Sequence, residues 1–326
     1  MATKKTTTAK KRTTTKTKKS PVKKTTRAAS TKTKSVKAKS TTKKSNTKSA
    51  SKTVDTKSSS VTAKTKSTTS VALSKLKSWN GVLAVLYGAA AAAIVAYGAT
   101  VTKSVTVSYL TQDTIASGPE STVLAQATRA LFSVNVSYMV AAVLTIAAVM
   151  HLLESTVLRK KYEAYVVDGV NRLRWIGHGI ADGLLVTTVG LIAGVSNIAA
   201  LFAIFAFVFV ASVGVIMADG HVKHSHKTGL LQFAAIKAVV LTPWLIIASY
   251  VLGTAKYSDA AVGMGDTYLL VVSTFVLSLG YMMVERARYK KLDFVSDYMN
   301  VEWAYMIVGF ALKAAFAGLV YTIVLQ

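Results

Sequence analysis

Trp303-Ala-Tyr305-Met-Ile-Val-Gly309-Phe-Ala-Leu-Lys313-Ala-Ala-Phe-Ala-Gly318-Leu-Val-Tyr321-Thr-Ile-Val-Leu325 is an apolar run with a lysine near its middle. It is long enough to cross a bilayer as a helix. An ammonium at that depth costs at least ~2.5 kcal/mol, so an intramembrane lysine is first read as functional. In a dry apolar site a lysine gives up its proton easily and becomes a nucleophile for a carbonyl, forming a Schiff base. The alternative is a structural lysine, ion-paired inside a bundle or snorkelling to an interface.

Working outward, six more apolar segments of similar length precede this one, giving expected spans at 79–101, 129–152, 172–194, 197–218, 229–252, 267–288 and 302–325. Their all-round apolarity reads as membrane-embedded. The expectation is an all-α membrane protein, a seven-transmembrane-helix bundle over 78–326 set in the lipid bilayer. The 326-residue chain is 52% hydrophobic yet carries a net charge of +26. The two values reconcile once the chain is divided. Residues 1–77 hold 24 of the 40 Lys and Arg and one acid, Asp55. That stretch is Lys, Thr, Ser and Ala in low-complexity order, with almost nothing to bury, and is expected to be a disordered tail. It is suited to an anionic lipid surface or to fixing topology, and less to nucleic acid, since aromatics and a folded motif are lacking. There is no cysteine, hence no disulfide framework.

Loop charges set the expected orientation. Arg159-Lys160-Lys161, the His221 to Lys227 loop, and Arg286, Arg288, Lys290 and Lys291 fall on one side with the basic tail; the other side holds little beyond Lys103, Lys256 and Arg129. The N-terminus is expected in the cytoplasm and the C-terminus outside. In the first outer loop, Val105-Thr-Val-Ser-Tyr109 alternates apolar and polar before a turn at Gly118-Pro119, which suits either a short β-hairpin or an irregular loop.

Further intramembrane polar groups narrow the chemistry. His178 and Asp182 are four residues apart and share one helix face. Lys237, six residues before Pro243-Trp244, rivals Lys313 on burial alone, or pairs with Asp219 or Glu154. Trp244, Phe275 and Tyr281 are candidate pocket walls. Pro243 should kink its helix. His221, His224 and His226 lack the spacing of a helical metal site and read as a solvated loop. No phosphate loop, catalytic triad or metal spacing is present, so no enzymatic role is expected.

Five stretches in order, Leu76-Lys-Ser-Trp-Asn80, Val105 to Thr111, Ala147-Ala-Val-Met-His151-Leu, Asn171-Arg-Leu-Arg174-Trp-Ile176, and Asp297-Tyr298 with Glu302, Tyr305 and Ala311-Leu-Lys313, together resemble the heliorhodopsins. The resemblance covers about 73–326. It implies all-trans retinal on Lys313 as a Schiff base, photoisomerisation, a homodimer, and a polar cavity on the cytoplasmic side. His151 matches one histidine of that cavity, and Tyr87 stands where the other would be; Asn171 and Arg174 belong to the same end. Two positions depart from the family. Its third-helix glutamate is Gly177 here, and its serine one turn before the lysine is Gly309. His178 and Asp182 are therefore expected as a displaced counterion pair or a structural pair. Gly177 is expected to leave room for an anion or waters. The expected function is a photoreceptor giving a conformational signal, with a possible cytoplasmic signalling partner. The alternatives are a light-driven or light-gated proton or ion conductor using His178, Asp182 and His151, and a retinal-free scaffold. Deleting residues 1–70 is expected to leave the pigment spectrum unchanged; a lost or shifted absorption band would show that the tail packs into the bundle.

Overall fold

The computed structural model describes residues 55–326 except 120, 225, 258–263, 291 and 296, and within 55–69, 219–230 and 233 the backbone alone. Residues 1–54, and the side chains of Asp219, His221, His224 and His226, lie outside the described residues. The element order is α1 Asp55–Tyr97, β1 Thr102–Gln112, β2 Leu124–Asn135, α2 Val136–Ser155, α3 Arg159–Asp168, α4 Arg172–Ile192, α5 Ile198–His224, α6 His226–Tyr257, α7 Met264–Tyr289 and α8 Tyr298–Val320. All the helices except α3 are long and apolar enough to cross a membrane, which makes seven candidate spans among the described residues. The chain is a multi-pass membrane protein. Its two ends are named here by what they carry, a basic end at the α2–α4 connection and a hairpin end at β1–β2.

Three boundaries differ from the sequence expectation. The first helix begins at Asp55, where composition places a tail up to residue 77. Residues 55–77 contain neither Gly nor Pro, so nothing breaks the helix once the span nucleates it. The second helix begins at Val136 instead of 129, because 129–135 belong to β2. That stretch pairs with β1 in antiparallel register, Thr102 opposite Asn135 through Gln112 opposite Leu124, with a bulge at Val105/Thr106. Asn135 then ends the strand and caps α2, its side chain accepting from the Ser137 N–H at 2.8 Å. The third difference is α3, a short helix in the basic connection that buries Tyr162 and Val166 and closes on Gly169 at φ +78°.

The connection between α1 and α2 is therefore a β-hairpin. Its base is pinned to the α4–α5 turn, where the Thr106 N–H donates to Ser196 O at 2.8 Å and Asn197 Nδ2 to Ser108 Oγ at 3.1 Å. At the same end, the Ala99 N–H donates to Leu325 O at 2.9 Å, joining the α1 exit to the turn that follows α8. Pro243 lies within α6, which continues as helix on both sides of it.

The span with the largest buried share is α4. It packs on α2 and α5, and its α5 face carries Gly179 and Gly183, one turn apart. A Cβ at Gly179 would stand 3.0 Å from Phe209, and one at Gly183 3.0 Å from Phe205. The glycines bring α5 close enough to fix the depth at which Asp182, between them, enters the interior. Gly183→Val should wedge the helices apart. A loss of about 1–3 kcal/mol, read as a lower melting temperature of the solubilised protein, is expected; an unchanged melting temperature would mean the interface is loose.

Candidate functional site

Asp297 caps α8 by accepting from the Met299 N–H at 3.1 Å, which sets the register of the helix that carries Lys313. Lys313 is 3% exposed, and its Nζ lies 2.5 Å from Asp182 Oδ1. Asp182, 7% exposed, reaches across from α4. Its second oxygen, Oδ2, lies 3.1 Å from Nδ1 of His178, one turn earlier on the same face. The Tyr281 hydroxyl on α7 lies 3.2 Å from that same Nδ1. Protonated, this nitrogen donates to Asp182; bare, it accepts the Tyr281 proton. One ring nitrogen is thus contested by two partners, and moving its proton exchanges the two bonds. Removing either member of the Lys313–Asp182 pair would leave a buried charge, typically worth about 3–5 kcal/mol.

The two glycine departures have structural counterparts. A Cβ on Gly177 would stand 2.9 Å from Met150 Cγ and 3.0 Å from Met150 Cε. The Met150 side chain of α2 occupies the place of a side chain at 177, and Met150 and Gly177 both line a small cavity at the basic end. A Cβ on Gly309 would stand 3.0 Å from the Tyr281 hydroxyl and 3.3 Å from His178 Cε1. The missing serine thus makes room for a tyrosine hydroxyl from another helix.

A largely apolar cavity lies between α4, α5, α6, α7 and α8. Trp175, Val186, Val208, Trp244, Tyr281 and Leu312 supply much of its apolar wall. His178 and Asp182 line it beside Lys313, and Lys237 and Glu285 line it too. Phe275 stands behind Trp244, with ring centroids 5.3 Å apart. A second, smaller cavity at the basic end is lined by His151, Glu154, Arg174, His178 and Lys313. There, His151 Nδ1 lies 2.6 Å from Asn80 Oδ1, and the Tyr87 ring stacks on the imidazole at 5.6 Å. Glu154 faces the same imidazole at 3.8 Å.

A polar clamp closes this end. Arg174 pairs with Glu302, and Asn171 Nδ2 donates to the other Glu302 oxygen at 2.7 Å. Arg174 Nη2 donates to the Tyr298 hydroxyl at 3.0 Å, and the guanidinium stands 4.0 Å over the Tyr305 ring. Sequence reasoning placed Asn171 and Arg174 here but gave no role to Glu302, Asn80, Met150 or Glu285. An acid inside an apolar span was the available signal for Glu285. Among the described residues no cluster of side chains could hold a metal ion.

A membrane bundle that surrounds an apolar, aromatic cavity beside a buried lysine and its carboxylate is built to hold a long apolar molecule by one reactive end. The sequence profile of the heliorhodopsin family matches residues 76–325, and the chain belongs to that family of light-sensing, retinal-binding membrane proteins. No curated protein matches it. The residues present fit retinal, with an apolar, aromatic cavity and the Lys313 amine against Asp182 of its wall.

Gly309→Ser is expected to push the Tyr281 hydroxyl off His178. The pigment should shift its absorption maximum, and adding Tyr281→Phe should remove most of the difference between Ser and Gly at 309. Additive shifts in the double variant would show that the two positions act independently.

Proposed function

We propose that the protein is a photoreceptor that carries all-trans retinal as a Schiff base on Lys313, with Asp182 as the negative partner in place of the family's glutamate. The observation that carries this reading is the 2.5 Å contact between Lys313 and Asp182 at the edge of an apolar cavity. Retinal, when bound, supplies light absorption and an isomerisation that displaces charge next to Lys313. The chain's residues do the rest. Asp182 compensates positive charge at Lys313 and is oriented by His178 one turn below it. His178 Nδ1 takes up or releases a proton by trading its bond to Asp182 for its bond to Tyr281. Trp244 and Leu312, in the apolar part of the cavity wall, confine the ligand.

Loop charge supports an N-terminus in the cytoplasm and a C-terminus outside, so the basic end would face the cytoplasm. The output would be a conformational signal passed there to a cytoplasmic partner, with the basic tail resting on anionic lipid. A homodimer belongs to this reading through the family. The small cavity joining Lys313 and His178 to His151 favours one second reading, a light-driven or light-gated proton conductor through His178, Asp182 and His151. Photocurrents that reverse with the proton gradient in voltage-clamped cells would select it, and electrical silence selects the photoreceptor.

Lys313→Ala should abolish pigment formation, and Lys237→Ala should leave it. Pigment that survives Lys313→Ala would overturn the assignment. Asp182→Asn should move the absorption band toward the near ultraviolet at neutral pH, because the charge beside Lys313 is gone. Unchanged absorption and titration in this variant would remove Asp182 as the partner.

A further inference from the structure

We infer that Glu285 is a second proton-exchanging carboxyl of this protein, coupled to His178 through the cavity that both line. The inference rests on the proposed photoreceptor reading and adds a proton site to it, on the opposite side of α4 from His151.

Glu285 lies on α7 near the basic end and is 1% exposed. One of its oxygens accepts the Tyr305 hydroxyl proton of α8, and the other lies 3.6 Å from Arg288 Nη1. A carboxylate used only to tie two helices would sit in packed interior. This one forms part of the cavity wall with His178, Asp182 and Trp175. The indole Nε1 of Trp175 is buried without a hydrogen-bond partner among the described residues. The part of the wall that carries this unsatisfied N–H and the carboxylate is suited to ordered water, apart from the apolar part that retinal would occupy.

A row of exchangeable groups leads there. The Tyr281 hydroxyl meets His178 Nδ1 at 3.2 Å. The Tyr281 ring stacks on Tyr305 with centroids 6.3 Å apart, and the Tyr305 hydroxyl bonds Glu285. Each of these groups except the rings' carbon frames can donate and accept, and cavity water can span the gap between the two phenols. Charges face Glu285 from its surroundings. Arg288 shares its helix, Arg174 of α4 covers the Tyr305 ring, and Lys237 of α6 lines the same cavity; among the described residues α5 contributes only Ser212 to the polar lining. Arg288, at 3.6 Å, lies beside the oxygen that Tyr305 does not bond, which leaves both contacts in place when the carboxyl exchanges a proton. The step conserves charge: one proton leaves His178, turning imidazolium into imidazole, and joins a Glu285 oxygen, turning carboxylate into carboxylic acid. From there the proton lies within the basic end, beside Arg288.

Light-minus-dark infrared difference spectra of the retinal-loaded protein test this. Wild type should gain a protonated-carboxyl stretching band after illumination. That band should vanish in Glu285→Gln and persist in His151→Gln. A band unchanged in Glu285→Gln, or absent from wild type, overturns the inference. Should Glu285→Gln fail to form pigment, Tyr305→Phe is read instead: a shifted carboxyl band supports the inference and an unmoved band overturns it. The retinal-free protein gives an independent reading. Its acid titration by infrared should contain a carboxyl component that Glu285→Gln removes and Tyr305→Phe shifts, and its absence overturns the inference. Failure of Lys313 to bind retinal would be seen separately, as loss of pigment in wild type.

Discussion

An ammonium and a carboxylate taken out of water attract strongly, yet each is very costly to leave there alone. Lys313 and Asp182 stand in that relation between α8 and α4, helices that meet around the bundle interior. Their contact sets the rotation of both helices, because either one turning by a residue would strand a charge. Other features follow from it. His178 must lie one turn from Asp182 to share its second oxygen, and Gly179 and Gly183 must admit α5 for Asp182 to sit at that depth. Lys313 is thus held by a partner that the rest of α4 is shaped to deliver.

The basic end of the bundle is organised by a different constraint. Arg174, Glu302, Asn171, Tyr298 and Tyr305 form a clamp in which α4 and α8 each supply charge and hydrogen-bond partners. The charge pair of the clamp, at Glu302, sits about three turns below the Lys313 level on α8. The same two helices are therefore joined at two depths, and a rearrangement at one is transmitted through a short rigid segment to the other. His151 and Glu285 flank this segment on opposite sides of α4.

Much of the fold was legible because hydropathy is a local property. Seven apolar runs announced seven spans, and the spacing of His178 and Asp182 announced a shared face. The boundary at 129–135 was misplaced since Ala, Leu, Phe and Val there suit a lipid-facing helix as well as a strand; only pairing with β1 decides. The absences at Gly177 and Gly309 could be read from the chain. What fills them could not, because Met150 and Tyr281 arrive from α2 and α7 and their proximity is a property of packing. For the same reason the Tyr305–Glu285 bond, formed across the α7–α8 turn, left no signature in spacing.

The hairpin invites a mechanical view. β2 passes into α2 at Asn135 without a spacer, while β1 is fastened at Thr106 to the turn between α4 and α5. From that fastening the strands run about 20 Å to the loop at Asp113, beyond which Ile115 is 97% exposed. A rigid arm of that length turns each degree of rotation at its root into about a third of an ångström at its tip. Small tilts of α2 relative to α4, too slight to break a buried hydrogen bond, are thereby magnified into displacements that a neighbouring surface could sense.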